Sequence, residues 1–190
     1  MNIITGTARG TKLKTLEGDA TRPTLQRAKE VIFSAIQFDI EGRRVLDLFA
    51  GSGQLGLEAL SRGAEKAVFV DKSNEAFETV KENAQKTHLY KSCRIVNMDY
   101  ADYILSAKRS GAAFDIVFID PPYESGLLFP ALKSVFVNGL LSDTATVVAE
   151  WDKDTLTEEN PQLLEMYDLV KLYKSGRIYF YRFTPKNKEK

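Results

Sequence analysis

The sequence predicts an α/β fold with a largely parallel sheet, covered by helices on both faces and ending antiparallel. Three observations carry that expectation. Apolar runs alternate regularly with helical stretches from Arg44 to Glu150, which is the pattern of βαβ units. The runs are strongly apolar, Phe114 to Ile119 most clearly, as strands buried on both faces are. The last two runs, Asp168–Lys174 and Arg177–Phe183, are separated only by Ser175-Gly176, the spacing of a tight hairpin.

In chain order, Asn2–Thr5 and Lys12–Leu16 can form a small hairpin around Gly6 and Gly10. Pro23 then opens a helix with Leu25, Ala28, Ile32, Ala35 and Ile36 on one face. Arg44–Phe49 reads as the first core strand, ending at Gly51. Leu55–Arg62 is a helix stopped by Gly63. Ala67–Val70 is the second strand. Ser73 caps a helix that has Glu75 in its first turn and runs to about Lys86. Arg94–Asn97 is a third strand, Asp102–Lys108 a short helix and Phe114–Ile119 the fourth strand. Leu127–Phe136 is a helix and Thr146–Glu150 the fifth strand. This divides the chain into an appendage over 1–40, a core over 41–185 and a disordered basic tail over 186–190.

Composition bounds the function. At 190 residues the chain is one domain with a small appendage, and its 44% apolar and 27% charged residues are those of a globular protein. A single Cys, Cys93, excludes a disulfide framework. With a single His, His88, it also excludes zinc-finger ligation and disfavours a Cys–His nucleophile. No metal site is expected. No apolar run reaches the ~18 residues of a membrane span, and residues 1–14 lack a signal core, so a cytoplasmic, membrane-free protein is expected. Monomer is the default. The 26 basic and 26 acidic residues cancel, but unevenly. Six basic residues lie between Arg9 and Lys29 against Glu17 and Asp19, and seven follow from Lys171 against Glu189 alone. That asymmetry suggests a polyanionic partner. Solvated faces and a frayed tail are the plainer alternative.

Gly51-Ser-Gly-Gln-Leu-Gly56 fits G-x-G-x-x-G between a strand and a helix, the context of a nucleotide-cofactor loop. Asp71 ends the second strand, where a carboxylate can accept both ribose hydroxyls of NAD or of S-adenosylmethionine alike. Asp47, four residues before Gly51, separates the two. A carboxylate aimed at the loop repels a pyrophosphate and attracts the ammonium and sulfonium of S-adenosylmethionine. Its alternative is a strand-end carboxylate bonded to nearby backbone. Asp99 follows the third strand and can reach the adenine amine while capping the next helix.

Asp120-Pro-Pro-Tyr123 follows the fourth strand and is expected to face the glycine loop across one crevice, where strand order reverses. An exocyclic amine on a base is a poor nucleophile because its lone pair is delocalised. The Asp120 carboxylate and the Pro121 carbonyl can hold its two N–H groups and turn the lone pair toward a methyl donor. The prolines stiffen the turn. Tyr123 offers a face on which an extruded base can stack.

Asp47-Leu-Phe-Ala-Gly-Ser-Gly53, Asp71, Asp99 and Asp120-Pro-Pro-Tyr123 resemble the successive motifs of class I S-adenosylmethionine-dependent methyltransferases, within them those that act on base amines. Arg9-Gly10, Lys12-Leu13 and Thr21-Arg-Pro-Thr24, with Arg27, Glu30 and Phe33, resemble the RsmD family. The resemblance runs from Ile3 to Phe183. It implies a Rossmann-like sheet of order 3-2-1-4-5-7-6 and methylation of the 2-amino group of one guanine in 16S ribosomal RNA, in an assembled or assembling small subunit. It implies cofactor contacts from Asp47, Phe49, Gly51, Ser52, Gly53, Leu55, Gly56, Asp71, Lys72, Asp99 and Tyr100. Asp120, Pro121 and Tyr123 would hold the amine. RNA contacts are expected from Arg9, Lys12, Arg22, Thr24, Arg27 and Lys29, although Lys29 stands where the family frequently has Arg. Arg22 has an alternative as an ion-pair partner of Glu30. Competing readings are an amino methyltransferase for another base or a protein glutamine, an NAD-dependent oxidoreductase, and a non-enzymatic RNA-binding assembly factor.

Overall fold

The computed structural model describes residues 1–16 and 23–186, with 23–25 as backbone only. Among these, seven strands form one sheet of order β3-β2-β1-β4-β5-β7-β6. The strands are β1 (Arg44–Asp47), β2 (Lys66–Asp71), β3 (Cys93–Asn97), β4 (Phe114–Ile119), β5 (Leu141–Trp151), β6 (Tyr167–Ser175) and β7 (Ile178–Pro185). The first five pair in parallel, whereas β7 lies antiparallel to both β5 and β6. The helices are α1 (Pro23–Ala35), α2 (Gln54–Ser61), α3 (Asn74–Lys86), α4 (Tyr100–Arg109), α5 (Leu128–Val137), α6 (Leu156–Glu159) and α7 (Leu163–Met166).

Strand alternation sorts the core into two layers. Val45, Phe69, Ile116 and Phe118 face Ile32, Phe33, Leu57, Leu60 and Val80, on the side of α1, α2 and α3. Leu46, Val70, Val117 and Ile119 face Ile104, Leu128, Leu132 and Leu163, on the side of α4, α5 and α7. Capping follows the sequence reading. Ser73 Oγ accepts from Ala76 N at 3.3 Å, and Asp99 Oδ1 accepts from Ala101 N at 2.9 Å.

Four expectations change. The N-terminal hairpin is a single antiparallel bridge, Asn2 to Lys12. Three backbone bonds cross it, Ile3 N to Thr11 O at 3.0 Å, Gly10 N to Ile3 O at 2.9 Å and Leu13 N to Met1 O at 2.8 Å, and further bonds tie it to α2, where Ile3, Ala8 and Leu13 are buried. Thr7 N reaches Ser61 O at 2.8 Å, and Ala8 N reaches Ser61 Oγ at 3.0 Å. A Cβ on Gly6 would lie 1.7 Å from Ser61 O, so glycine alone permits this approach. The fifth strand is longer than Thr146–Glu150 and ends in Trp151, carried outward by its pairing with β7. The helices α6 and α7 were not anticipated, since four residues are too few to show a helical period. Lys186, expected in a loose tail, donates from Nζ to Leu164 O at 2.6 Å and from its backbone to Met166 O at 2.9 Å. Residues 187–190 lie outside the described residues.

Candidate active site

The order reverses between β1 and β4, whose neighbours lie on opposite sides, and a cleft of about 920 Å³ opens at the carboxyl ends of these strands. Its floor is the loop after β1, with Leu48, Phe49, Ala50, Gly51, Ser52 and Gln54. One wall carries Asp71, Lys72, Met98, Asp99 and Tyr100 from the ends of β2 and β3. The other carries Asp120, Pro121, Pro122 and Tyr123 after β4, with Glu150 and Asp152 of the β5 end. The glycine loop and the Asp-Pro-Pro-Tyr turn therefore share one cleft. Gly176, Arg177 and Ile178 at the tip of the β6–β7 hairpin, and Met1, Thr15 and Leu16 from the N-terminal segment, close its rim.

Carboxylates build the glycine loop. Gly51 adopts φ 52° and donates its N–H to Asp71 Oδ2 at 3.0 Å. Gly56 donates to Asp47 Oδ2 at 3.0 Å. Gly53, at φ 77°, sits in the left-handed region just before α2. A Cβ on Gly56 would lie 2.3 Å from Phe69 Cε1, so glycine lets α2 settle against β2. Buried Asn83 ties the loop to its surroundings, donating from Nδ2 to Ser52 O and Lys14 O, both at 2.9 Å, and accepting from Lys14 N at 2.8 Å.

The residues expected to contact the cofactor divide in two. Phe49, Gly51, Ser52, Asp71, Lys72, Asp99 and Tyr100 line the cleft. The Phe49 and Tyr100 rings stand 5.2 Å apart, tilted by 40°. Asp47 differs from its expected place: it is 2% exposed and buried beneath the loop, bonded to Gly56, which is the alternative the sequence left open. Gly53, Leu55 and Gly56 also shape the loop from beneath and do not line the cleft.

Burial pushes the Asp47 carboxyl up to about 7, helped by the Asp71 charge and opposed by the Gly56 N–H. Raised above its unfolded value, this group stabilises the fold fully below the unfolded pKa and loses that contribution as pH rises through about 7. Replacing Asp47 by Asn keeps the size and an acceptor for Gly56 N–H and removes the charge. Urea unfolding at pH 6 and pH 8 should show Asp47→Asn less pH-dependent than the native chain, and more stable at pH 8 by about 1–2 kcal/mol.

On the opposite wall, the Tyr123 hydroxyl donates to Glu150 Oε1. The Tyr123 ring meets Trp151 edge-on, with centroids 6.3 Å apart and planes at 79°. Glu150 is buried, which pushes its carboxyl up to about 7 against the pull of the Tyr123 hydrogen bond. Tyr123 is held strongly protonated, by burial first and then by the Glu150, Asp120 and Asp152 charges.

The expected RNA-contacting residues are dispersed. Arg9 and Lys12 are exposed on the N-terminal loop, and Arg27 is exposed in a groove between α1 and β6. Lys29 is a correction: only 2% exposed, its ammonium lies 3.2 Å from Glu58 Oε2 and donates to Asn2 O at 2.9 Å. It faces the interior because α1 packs that side against α2. Arg22, and with it the Arg22–Glu30 alternative, lies outside the described residues, as does the Thr24 side chain. The sequence reading missed Gln54, Met98, Glu150 and Arg177 on the cleft. Only Gln54 lay within a motif already singled out. Among the described residues, no cluster suited to a metal ion occurs and no helix is long and apolar enough to cross a membrane.

The sheet order, the glycine loop after β1 and the acidic ends of β2, β3 and β4 define a Rossmann-like class I methyltransferase fold. A solved Escherichia coli structure, provisionally described as a methyltransferase, superposes with a TM-score of 0.82 at 30% identity, covering 99% of both chains. A family described as "Conserved hypothetical protein 95" matches residues 1–182; the chain belongs to it, the RsmD family. A Bacillus subtilis protein provisionally named an rRNA methyltransferase is 39% identical over 154 residues, 81% of this chain and 84% of that one. "Ribosomal RNA small subunit methyltransferase D" of Haemophilus influenzae is 35% identical over 168 residues, 87% and 86% of the two chains.

Proposed function

We propose that this protein transfers a methyl group from S-adenosylmethionine to the exocyclic 2-amino group of one guanine in 16S ribosomal RNA, within an assembled or assembling small subunit. The observation that carries the reading is the Asp120-Pro-Pro-Tyr123 turn facing the glycine loop across one cleft. The names of the relatives support the RNA substrate.

The residues present suit this cofactor better than a dinucleotide. Gly51 and Gly56 N–H groups, which would cradle a pyrophosphate, already serve Asp71 and Asp47. The buried oxygen Oε1 of Gln54, on the cleft floor, has no hydrogen-bond partner among the described residues and can accept from an ammonium. Asp71 would take the ribose hydroxyls, and Asp99 the adenine amine beside Phe49, Met98 and Tyr100. When bound, the cofactor supplies an electrophilic methyl group on a sulfonium centre.

The remaining work falls to the opposite wall. Asp120 and the Pro121 carbonyl accept the two amine N–H groups and stabilise the charge that develops on nitrogen. Tyr123 stacks the extruded base. Residues 1–40 serve as the RNA-contacting region through Arg9, Lys12 and Arg27, with Arg22 and Thr24 alongside. Arg177 at the cleft rim is well placed to meet a phosphate. The protein acts as a cytoplasmic monomer without a metal.

Methyl transfer from labelled cofactor to small subunits lacking the modification, with naked rRNA, DNA and protein in parallel, tests the reading. Label in a guanine methylated at N2, greater on subunits than on naked RNA, is the expected outcome. Label in adenine or protein overturns the substrate assignment. Absence of label with the cofactor bound overturns the enzyme reading.

A further inference from the structure

Glu150 is a buried acid that the mechanism above leaves without a role. It lies one residue beyond the last paired position of β5 with β4, Ala149 opposite Ile119, and Asp120 lies one residue beyond that position on β4. Two carboxylates therefore leave neighbouring strands at the same level, into the same cleft. Glu150 accepts the Tyr123 hydroxyl, and Trp151 packs edge-on against the Tyr123 ring. A tyrosine side chain has two rotatable bonds; one contact at its hydroxyl and one at its ring fix both.

We propose that Glu150 is a positioning residue: as a carboxylate it anchors the Tyr123 hydroxyl and so presets the ring on which the substrate base stacks. This rests on the methyltransferase reading and deepens it. Orientation is where the effect arises, since a stacked base displaced by about 1 Å misaligns its amine with the methyl donor, and misplacement of that size can cost roughly 100-fold in rate. The anchor is strongest when Glu150 is ionised, because an anionic acceptor binds a hydroxyl more tightly than a neutral acid does. The groups facing it are Tyr123, Asp120, Asp152 on its own strand end, and Arg177 on the hairpin tip, with Asp71, Lys72 and Asp99 across the cleft. From β7, its paired residue is the uncharged Phe180. Burial raises its titration to about 7, so the anchor changes strength across neutral pH.

Trp151 is the sole tryptophan and adjoins Glu150, so its fluorescence reports this corner without any substrate. A pH titration of the native protein should show a step near 7 that is absent in Glu150→Gln. In Tyr123→Phe the step should move upward, because the lost hydrogen bond favoured the ionised acid. With substrate, Glu150→Ala should lower kcat/KM for RNA about 10- to 100-fold while cofactor affinity stays native. Glu150→Gln, which keeps an acceptor oxygen, should restore most of that rate and lose the acid limb of the native profile. A fluorescence step that persists in Glu150→Gln, or native kcat/KM in Glu150→Ala, overturns the inference. A native protein inactive on every RNA, DNA and protein overturns the enzyme reading instead, and the titration still decides whether Glu150 holds Tyr123.

Discussion

Replacing Asp120 by Ala is expected to lower methyl transfer at saturating substrate by about 10²–10³-fold, the loss typical of removing one preorganised group that stabilises developing charge. Cofactor affinity should change by only a few fold. The asymmetry follows from the cleft. Asp120 stands on the β4 wall with Pro121 and Tyr123, whereas Gly51, Asp71, Asp99 and Tyr100 stand on the floor and on the β2–β3 wall. In the proposed reaction the amine would gain little from Asp120 in the ground state. Nitrogen would become cationic as the methyl group arrives and the carboxylate beside it strongly favourable, so the effect is expected in kcat. Asp120→Asn should be milder than Asp120→Ala, since an amide oxygen still accepts an N–H while the charge is gone. Single-turnover rates with cofactor binding measured separately decide the matter. Full methylation by Asp120→Ala would remove Asp120 from the mechanism, and equal losses in affinity and rate would move it to the cofactor side.

The frame was legible in the sequence because it depends on local signals. Strands buried on both faces read as apolar runs, Ser73 and Asp99 read as caps, and Ser175-Gly176 read as a hairpin; apart from the start of β5, five residues earlier than its apolar run, each lies within a residue or two of its place. The order 3-2-1-4-5-7-6 came from the family resemblance, since periodicity gives elements and not their neighbours. The β2–β3 side of the cleft was legible because its residues follow strands, and strand ends are where an open α/β sheet binds. What stayed hidden depends on contacts between distant segments. Glu150 is an ordinary acid after an apolar strand until β4 brings Tyr123 beside it. Lys29 looks like one more member of a basic cluster, and nothing near it in sequence says that Glu58 lies opposite. Asp47 was placed at the right loop with the wrong emphasis: spacing put its carboxylate near Gly51 and could not show that Gly56 N–H would claim it.

The Glu58 cluster gives the second large expectation. Glu58 is fully buried on α2 and accepts from four donors: Ile4 N at 2.8 Å, Thr5 N at 3.1 Å, Arg62 Nε at 2.8 Å, and the Lys29 ammonium in an ion pair at 3.2 Å. One carboxylate thereby joins the N-terminal segment, α1 and α2. Burial lowers the Lys29 pKa and Glu58 opposes that shift, so Glu58 is what keeps a cation tolerable in the interior. Glu58→Gln should destabilise the protein by about 3–5 kcal/mol, because it strands Lys29 rather than removing a pair. For a chain of this size that corresponds to a Tm roughly 10 °C lower. The sign with pH is fixed by linkage. In the variant the folded-state Lys29 pKa falls further below its unfolded value, so the unfolded state holds more protons and stability recovers as pH rises. A second change separates charge from packing. Lys29→Met in the Glu58→Gln background removes the stranded cation and should regain part of the loss, whereas a loss owed to the Ile4 and Thr5 hydrogen bonds would persist. Melting curves of the three proteins from pH 7 to 9.5 distinguish the two. The same tie reaches the active site, since the segment that Glu58 anchors continues to Thr15 and Leu16 on the cleft rim. Glu58→Gln should therefore weaken cofactor binding even at temperatures where it remains folded, although Glu58 itself does not line the cleft.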